Sequence, residues 1–434
     1  MSMVTSFLRS FNTHRVDPYP VHVLKRVDRP TIEIRDAEVP RVDGRDSGFN
    51  KAARGEYGPH LQQQRARLVT KHPLGSALRG MQVHLRDIGE TDNPVAANQA
   101  PLGDDPALIT KHIKETAYFL RADMVGVCKL PPYAVFSRHL STGEPVECDH
   151  TYAIAILIDQ DWKTSEASFG NDWISGSQSH LAYTNSSFVA RILADYIRQL
   201  GYPAKAHHTY SYDVVVPPIL LWAGLGELSR IGSVVVNPFI GPRFKAAIVT
   251  TDLPLVPDKP IDFGLQDFCS RCKKCARECP TGAISDGDKV WRNGYEQWPL
   301  DVKKCVIGRT ASNAGAGCGT CMTVCPWNKP YTPFHRFVQW TMRNIPLARR
   351  FAIWGDDLMG YGKPRIENKW WLDLESSDGA LEVPEQAGNR RTLRAEYSMR
   401  PEMLDGVLPP FLTRGQRESG SNRDDAHHSR PDAE

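Results

Sequence analysis

Two cysteine-rich runs between residues 269 and 326 constrain this chain more than any other feature of its sequence. The first run has the spacing C-x2-C-x2-C-x3-C and is followed by Pro280, and the second repeats C-x2-C-x3-C before Pro326. This spacing is typical of ferredoxin-like segments that hold two [4Fe–4S] clusters, in which the last cysteine of a run ligates the other cluster. The sequence therefore predicts two clusters and one-electron chemistry.

The crossover rule divides eight cysteines into two sets of cluster ligands. One set is Cys269, Cys272, Cys275 and Cys325, and the other is Cys279, Cys305, Cys318 and Cys321. Because Cys305 lies well before Cys318, the second site departs from the usual short spacing. Zinc binding and unligated thiols are the alternative interpretations, but the agreement of eight cysteines, two prolines and the spacing favours clusters.

The bulk composition excludes several classes of protein. A net charge of +3 over 434 residues does not favour a nucleic-acid partner. Eight of the ten cysteines lie in the two runs, which fits metal binding in a reducing compartment rather than a disulfide scaffold. The first twelve residues have neither an apolar leader nor twin arginines, and no run is long enough to span a membrane. We therefore expect a cytoplasmic protein without a membrane or nucleic-acid partner.

Changes in composition along the chain predict five segments. They are an extended arm over residues 1–100, a core over 101–260, a cluster domain over 261–335, a segment that packs on the core over 336–408, and a disordered tail over 409–434. The polar and irregular first segment does not read as an independent domain, and the last segment is too polar to fold alone.

The core shows both helical and strand patterns. We predict a helix that begins after Asp105, with Pro106 at its first position, and a second helix over about 183–200 that ends at Gly201. Strands are predicted over 124–127, 152–158, 233–236 and 246–250. Because helices and strands alternate, the fold class is predicted as α/β or α+β.

The stretch before the first cysteine run resembles the corrinoid-dependent reductive dehalogenases. It reads Gly-Leu-Gly-Glu-Leu-Ser-Arg-Ile-Gly from residue 224, Asn-Pro-Phe-Ile-Gly-Pro-Arg-Phe-Lys from 237, and Thr-Asp-Leu-Pro-Leu from 251. The similarity covers roughly residues 100–375, and epoxyqueuosine reductase is a more distant relative. The resemblance implies a nitroreductase-like core over 101–260 that binds cobalamin, with the cluster domain delivering electrons to cobalt.

The resemblance also implies three catalytic residues. Tyr183 matches the tyrosine that donates a proton, Lys245 the basic residue that contacts that tyrosine, and Arg309 a substrate-binding arginine. A tyrosine with a pKa of about 10 is a poor acid at neutral pH unless a cation lowers that pKa, and we expect Lys245 to do so. Each residue could instead have only a structural role, in helix packing, at a strand edge or in loop ordering.

A further set of residues is predicted to contact the corrinoid. Glycines permit tight turns and a close backbone approach to a bulky ligand. The predicted contacts are Gly224, Gly226, Gly232, Asn237, Pro238, Arg243 and His207. For His207 a hydrogen-bonded loop position is the alternative, because no Asp-x-His-x-x-Gly pattern of a cobalt-ligating histidine is present.

The implied reaction is the reductive cleavage of carbon–halogen bonds in halogenated aromatics such as halophenols or halogenated hydroxybenzoates. The chain ends soon after Trp371, so we expect a separate ferredoxin, flavodoxin or reductase to supply electrons. Two alternatives are an epoxyqueuosine-reductase-like enzyme that acts on tRNA, and a ferredoxin-type electron-transfer or corrinoid-reactivating protein. The last of these would need no substrate cavity.

Overall fold

The structure is a computed structural model that describes residues 17–68, 70–87, 93–168, 172–209, 211–310, 317–372, 374–377 and 380–382. The tail predicted over 409–434 lies outside these residues, as do parts of the first and fourth predicted segments. Within this part of the chain, no helix is long and apolar enough to cross a membrane.

The elements are numbered in chain order. The helices are α1 (Gly48–Ala53), α2 (Pro59–Ala66), α3 (Pro73–Asp87), α4 (Pro106–Phe119), α5 (Trp162–Ser168), α6 (Ile174–Gln199), α7 (Val216–Trp222), α8 (Leu265–Cys272), α9 (Lys274–Arg277), α10 (Val302–Thr310), α11 (Thr320–Thr323), α12 (Pro333–Asn344) and α13 (Ala348–Leu358). The strands are β1 (Met124–Lys129), β2 (Tyr152–Asp159), β3 (Ala204–His207), β4 (Glu227–Leu228), β5 (Val235–Val236), β6 (Phe244–Thr251), β7 (Val290–Arg292), β8 (Tyr295–Gln297), β9 (Glu375–Ser377) and β10 (Ala380–Glu382).

A four-stranded sheet in the order β1-β2-β6-β3 forms the centre of the fold. Every pairing in it is antiparallel. The α+β class is therefore confirmed, whereas the parallel sheet of an α/β core is not found among the described strands. The alternation of helices and strands in a sequence does not determine whether neighbouring strands are parallel. Here β1 is joined to β2 by a loop without an α-helix, and an antiparallel pair needs no crossover helix.

Both faces of the sheet are buried, which explains the nearly continuous apolar run in β2. Ile154 and Ile156 point to one face, where they pack with the buried side of α6. Ala155 and Leu157 point to the other face, which packs with α7 and with residues next to the cysteine runs. Successive side chains of a strand alternate between faces, so a strand covered on both sides has no polar side.

Helices α4 and α6 cover the first face of the sheet. The predicted start of α4 is confirmed, because Pro106 opens the helix and the Asp105 side chain accepts a hydrogen bond from the backbone N–H of Ala107. Helix α6 begins at Ile174, nine residues before the predicted start, and ends beside Gly201, whose φ is +85°. Its early turns are rich in serine, and this composition hides the helical periodicity.

The first hundred residues contain helices that the sequence analysis did not predict. Helices α1 and α2 pack against α10, and Ala52, Leu61 and Val306 are buried where they meet. The close approach depends on Gly48, because a Cβ atom there would lie 2.4 Å from Cγ1 of Val302. This segment is thus fixed against the helix that carries Cys305.

Candidate active site and cluster sites

The structure brings the cysteines together in the two sets that their spacing predicts. Cys269, Cys272, Cys275 and Cys325 line one small cavity, together with Arg230 and Phe268. Cys279, Cys305, Cys318 and Cys321 line the wall of a second and much larger cavity. Each cavity thus takes three cysteines from one part of the sequence and one from the other, as the crossover predicts.

The arrangement of these cysteines fits clusters better than a single metal ion. In the described part of the chain, no group of three or more His, Cys, Asp or Glu residues is close enough to hold one ion. A zinc site would need its sulfur ligands about 2.3 Å from the metal, and therefore close together. Backbone N–H donors also point at sulfur: Ala283 N lies 3.2 Å from Cys279 Sγ. Such bonds stabilise the charge of a reduced cluster.

A buried group of charges lies beside the first cysteine set. The ammonium groups of Lys274 and Lys329 lie 2.6 and 2.7 Å from the two carboxylate oxygens of Asp356, and all three side chains are buried. The ion pairs fasten α13 to the cluster segment. No local sequence pattern indicates this group, because its residues lie far apart in the chain.

The second cysteine set opens onto a cavity of about 680 Å³ that lies between the sheet, α6 and the N-terminal helices. Small residues form part of its wall, namely Ser165, Ser168, Ser175, Gly176 and Ser179. Its basic lining residues are Arg65, Arg79, Arg243, Lys245 and Arg309. None of the described residues that line it is Asp or Glu. A cavity of this size with several basic and no described acidic lining residues is suited to a bulky ligand together with an anion.

All three predicted catalytic residues line this cavity. Tyr183 projects from the middle of α6 and not from the start of a helix, while Lys245 lies near the beginning of β6 and Arg309 near the end of α10. The ammonium nitrogen of Lys245 lies 5.1 Å from the centroid of the Tyr183 ring. Residues from three distant parts of the chain thus meet at the cavity that holds the second cysteine set.

Burial governs the protonation of the first two of these residues. It raises the pKa of Tyr183 above its ordinary value, and the charge of Arg309 opposes this rise. Burial lowers the pKa of Lys245 to about 8, with the charge of Arg309 acting in the same direction. The expectation that Lys245 lowers the tyrosine pKa therefore needs correction: Arg309 is the opposing cation, and the phenol stays protonated at neutral pH.

Arg309 and a second arginine flank one aromatic ring at the cavity wall. The guanidinium carbon of Arg309 lies 4.3 Å from the centroid of the Phe49 ring, and that of Arg65 lies 5.3 Å from the same centroid. Both Phe49 and Arg65 line the cavity. No sequence pattern indicates these two residues, because they lie in a segment without an apolar periodicity.

The three glycines predicted to contact the corrinoid have close protein neighbours instead. A Cβ atom at Gly224 would lie 2.3 Å from the carbonyl oxygen of Lys259, and one at Gly226 would lie 2.5 Å from the carbonyl oxygen of Val236. At Gly232 it would lie 2.7 Å from Cβ of Leu300. The φ of Gly224 is +66° and that of Gly232 is +82°, so these glycines serve turns and tight packing of the chain.

The other predicted corrinoid contacts also have roles within the protein. Asn237 closes a turn, with its side-chain oxygen 2.9 Å from the backbone N–H of Phe239, and the adjacent Pro238 is buried. Buried His207 bonds to Thr250 Oγ1 at 2.9 Å, and burial lowers its pKa to about 3. The described residues that line the large cavity do not include Asn237, Pro238 or His207.

Arg243 differs from these residues, because it lies both in the cavity wall and in a network of protein contacts. Its Nε and Nη2 atoms each lie 2.9 Å from a carboxylate oxygen of Asp159. Its Nη1 atom donates to Oδ1 of Asn328 at 2.5 Å. The charge of Arg243 is thus compensated, and its main contribution is to hold Asn328 in the wall.

Two buried amide groups in the wall each have one unpaired polar atom. The Oε1 atom of Gln160 and the Nδ2 atom of Asn328 have no hydrogen-bond partner among the described residues. Both residues line the cavity and are at most 5% exposed. Buried polar atoms are rarely left unpaired, so one acceptor and one donor at the wall are candidates to pair with an occupant of the cavity.

Two four-cysteine sites, one of them opening onto a deep cationic cavity, define an iron–sulfur protein with a ligand-binding core. Residues 268–328 match a family described as a 4Fe-4S double cluster binding domain, which confirms the prediction of two [4Fe–4S] clusters. Similarity to known proteins extends well beyond that segment. The chain is 28% identical over 319 residues to the tetrachloroethene reductive dehalogenase of Sulfurospirillum multivorans, covering 64% of this chain and 62% of that protein.

Solved structures of the catabolic reductive dehalogenase NpRdhA are similar over more of the chain. The N-terminally tagged protein is 41% identical, with a TM-score of 0.79, over 87% of this chain and 54% of that one. Its complex with 3-bromo-4-hydroxybenzoic acid is 38% identical, with a TM-score of 0.78, over 95% and 63%. The predicted resemblance to reductive dehalogenases is thereby confirmed.

Similarity to epoxyqueuosine reductase is more limited, as predicted. The Bacillus cereus enzyme is 34% identical over 120 residues, which is 25% of this chain. The chain spans less than two thirds of the length of the dehalogenases described above.

Proposed function

We propose that this chain is a corrinoid-dependent reductive dehalogenase that removes halogen from halogenated aromatics. The observation that carries the proposal is the convergence of Tyr183, Lys245 and Arg309 on the cavity lined by Cys279, Cys305, Cys318 and Cys321. A proton donor, two cations and a cluster site are thereby within one space. An electron-transfer protein without a substrate would need no such cavity.

The cavity suits a corrinoid on two counts. Its serine- and glycine-rich wall leaves room for a broad, flat ring next to the second cysteine set. A corrinoid carries peripheral carboxamides, which could pair with the unsatisfied amide atoms of Gln160 and Asn328. We propose that these two residues, rather than Gly224 or His207, help to hold the cofactor, and that the core around them is of the nitroreductase-like kind.

Reductive removal of a halogen consumes two electrons and one proton and releases halide. When bound, a reduced corrinoid would supply the electrons at the carbon–halogen bond, and the clusters would replenish them. Tyr183 would donate the proton to the ring carbon, since its raised pKa keeps the phenol protonated before reaction. The Tyr183 phenolate formed in this step would be stabilised by Lys245 and Arg309.

The same two cations suit an aromatic substrate that carries negative charge. A phenolate or carboxylate entering the cavity would meet no described acidic side chain in the wall. NpRdhA has been solved with a bromohydroxybenzoate, a ligand of this chemical class. We therefore propose halophenols and halogenated hydroxybenzoates as substrates.

We propose that a separate ferredoxin, flavodoxin or reductase delivers electrons to the first cysteine set. Exposed Arg271 and Lys273 lie on either side of Cys272 and would favour an acidic donor. The basic charge there is partly compensated, because Arg271 pairs with Asp267 at 2.6 Å. Steering by this surface would therefore be modest and sensitive to salt.

The decisive experiment is halide release by protein loaded with both clusters and with cobalamin under anaerobic conditions. We expect bromide release from 3-bromo-4-hydroxybenzoate with reduced methyl viologen, and none from the same protein without cobalamin. Loaded protein that releases no halide from a panel of halophenols and halogenated hydroxybenzoates would refute the proposal. Reduction of epoxyqueuosine in tRNA would favour the alternative enzyme.

A further inference from the structure

We propose that Arg65 and Phe49 form, with Arg309, a second anion-binding subsite that selects aromatic ligands carrying a carboxylate in addition to a phenol. The inference rests on the proposed function and adds to it a role for the N-terminal helices α1 and α2. Phe49 lies in α1, Arg65 in α2 and Arg309 in α10, and all three line the large cavity.

The geometry of the subsite begins with one ring and two guanidinium groups. Arg309 and Arg65 lie 4.3 and 5.3 Å from the centroid of Phe49. A guanidinium group over an aromatic face keeps its N–H donors at its edge, where they remain free to bind an anion. Phe49 therefore positions two cations at the cavity wall without neutralising either of them.

The side chain of Arg65 has hydrogen-bonding capacity that the described residues do not satisfy. Its Nε atom is buried and has no hydrogen-bond partner among the described residues. The only described polar or aromatic contact of its side chain is with the Phe49 ring. Arg243, in contrast, is paired with both carboxylate oxygens of Asp159. A carboxylate from the cavity would satisfy Arg65 by the paired hydrogen bonds that guanidinium groups favour.

The subsite is held in place by packing and not by exposed loops. The apolar contact of Ala52 and Leu61 with Val306 fixes α1 and α2 against α10. The approach of Gly48 to Val302 leaves no space for a side chain between them. Arg65 and Arg309 are thus mounted on two packed elements whose separation is set by the core. Such a rigid pair of cations can select for the spacing of two anionic groups on a ligand.

A division of the cavity follows from these contacts. Lys245 and Tyr183 lie together beside the second cysteine set, so the reacting phenol belongs there. The carboxylate of a hydroxybenzoate would then reach Arg65 and Arg309 at the Phe49 side. A simple phenol would fill only the first position and would leave Arg65 without a partner.

The test compares binding of 4-hydroxybenzoate and phenol to cofactor-loaded protein by calorimetry, which needs no turnover. In Arg65→Gln, we expect the affinity for 4-hydroxybenzoate to fall about 10- to 100-fold, the range for loss of a charged hydrogen-bonded pair. The affinity for phenol should change far less, and Arg65→Lys should restore part of the loss. The control is Arg67→Gln, because Arg67 is exposed and is not among the residues that line the cavity.

Three results would overturn the subsite: wild-type protein that binds 4-hydroxybenzoate no more tightly than phenol, equal losses for both ligands in Arg65→Gln, or an equal effect of Arg67→Gln. The wild-type protein could bind 4-hydroxybenzoate more tightly than phenol, lose that difference in Arg65→Gln, and still release no bromide from 3-bromo-4-hydroxybenzoate. This result would support the subsite and refute the proposed reaction. Failure of the two proposals is thereby distinguished.

Discussion

The ammonium group of Lys245 lies over the ring of Tyr183, 5.1 Å from its centroid. A cation in this position is attracted by the face of the ring. The pKa of Tyr183 is raised by burial, and the charge that opposes the rise comes from Arg309. Tyr183 is therefore held as a protonated phenol, which is the form that a proton donor needs before reaction.

Replacing Tyr183 with phenylalanine removes the proposed donor and keeps most of the ring packing. We expect the rate of halide release to fall about 100- to 10,000-fold, the usual contribution of a positioned acid. The KM for the aromatic substrate should change little, because the phenol is proposed to act in the chemical step. Steady-state kinetics with reduced methyl viologen would measure both quantities.

Tyr196→Phe is a matched control on the same helix. The Tyr196 hydroxyl bonds to His112 at 2.8 Å and is not part of the cavity lining. Its loss should leave halide release near the wild-type rate. A Tyr183→Phe enzyme as active as this control would remove Tyr183 from the mechanism.

The lowered pKa of Lys245 predicts a loss of activity on the alkaline side. Burial brings this pKa from 10.5 down to about 8, so the ammonium form is present below pH 8 and disappears as the pH rises through that value. If the charge binds the anionic substrate, kcat/KM should decline over the same range. A pH–rate profile of the loaded enzyme would measure this limb.

Arginine at the same position should move that limb to higher pH. Guanidinium groups remain charged throughout the accessible range, so Lys245→Arg should retain kcat/KM above pH 9 better than the wild type does. Identical alkaline limbs for the two proteins would mean that another group controls the decline.

The grouping of cysteines predicts which substitutions act on the same cluster. Cys269→Ser and Cys325→Ser should both weaken the first cluster, and Cys279→Ser and Cys305→Ser the second, because each pair lines one cavity. Complete loss of one cluster would lower the iron content from about eight to about four atoms per chain. EPR spectra of the reduced variants would identify the remaining cluster. Matching spectra for Cys279→Ser and Cys269→Ser would contradict the crossover.

The fold predicts opposite effects for alanine at two glycines. A Cβ atom at Gly126 would lie 2.4 Å from the carbonyl oxygen of Ala223, so Gly126→Ala should cost about 1–3 kcal/mol through overpacking. At Gly355 in α13 nothing lies within 4 Å, and alanine there should be neutral or stabilising by up to about 1 kcal/mol. Thermal unfolding followed by circular dichroism would compare the two. Similar melting temperatures for the two variants would show that the backbone around β1 accommodates the added methyl group without a loss of stability.

The sequence predicts the parts of this protein that depend on local patterns. Cysteine spacing predicts both ligand sets, and the pattern of Asp105 and Pro106 predicts the start of α4. The start of α6 is missed because Ile174 is followed by serine-rich turns, whose small side chains face a cavity instead of an apolar core.

Features that depend on distant contacts could not be predicted in the same way. Helices α1 and α2 are stabilised by packing on α10, some 250 residues further along the chain. Gly224 and Gly232 look like ligand contacts in sequence, but the atoms that approach them belong to Lys259 and Leu300. A glycine in the sequence indicates a close approach by another atom, but it does not indicate whether that atom belongs to the protein or to a ligand.

Helix α10 carries Cys305 and Arg309 one turn apart, so a proposed cluster ligand and a proposed substrate-binding group share one rigid body. A substitution that tilts α10 to suit a new substrate would also displace a cluster ligand. Helices α1 and α2 line the same cavity without contributing any cysteine. Substitutions in residues 48–66 are therefore better suited than substitutions in α10 to change the substrate range and preserve the electron route. The same holds for protein engineering and for natural selection.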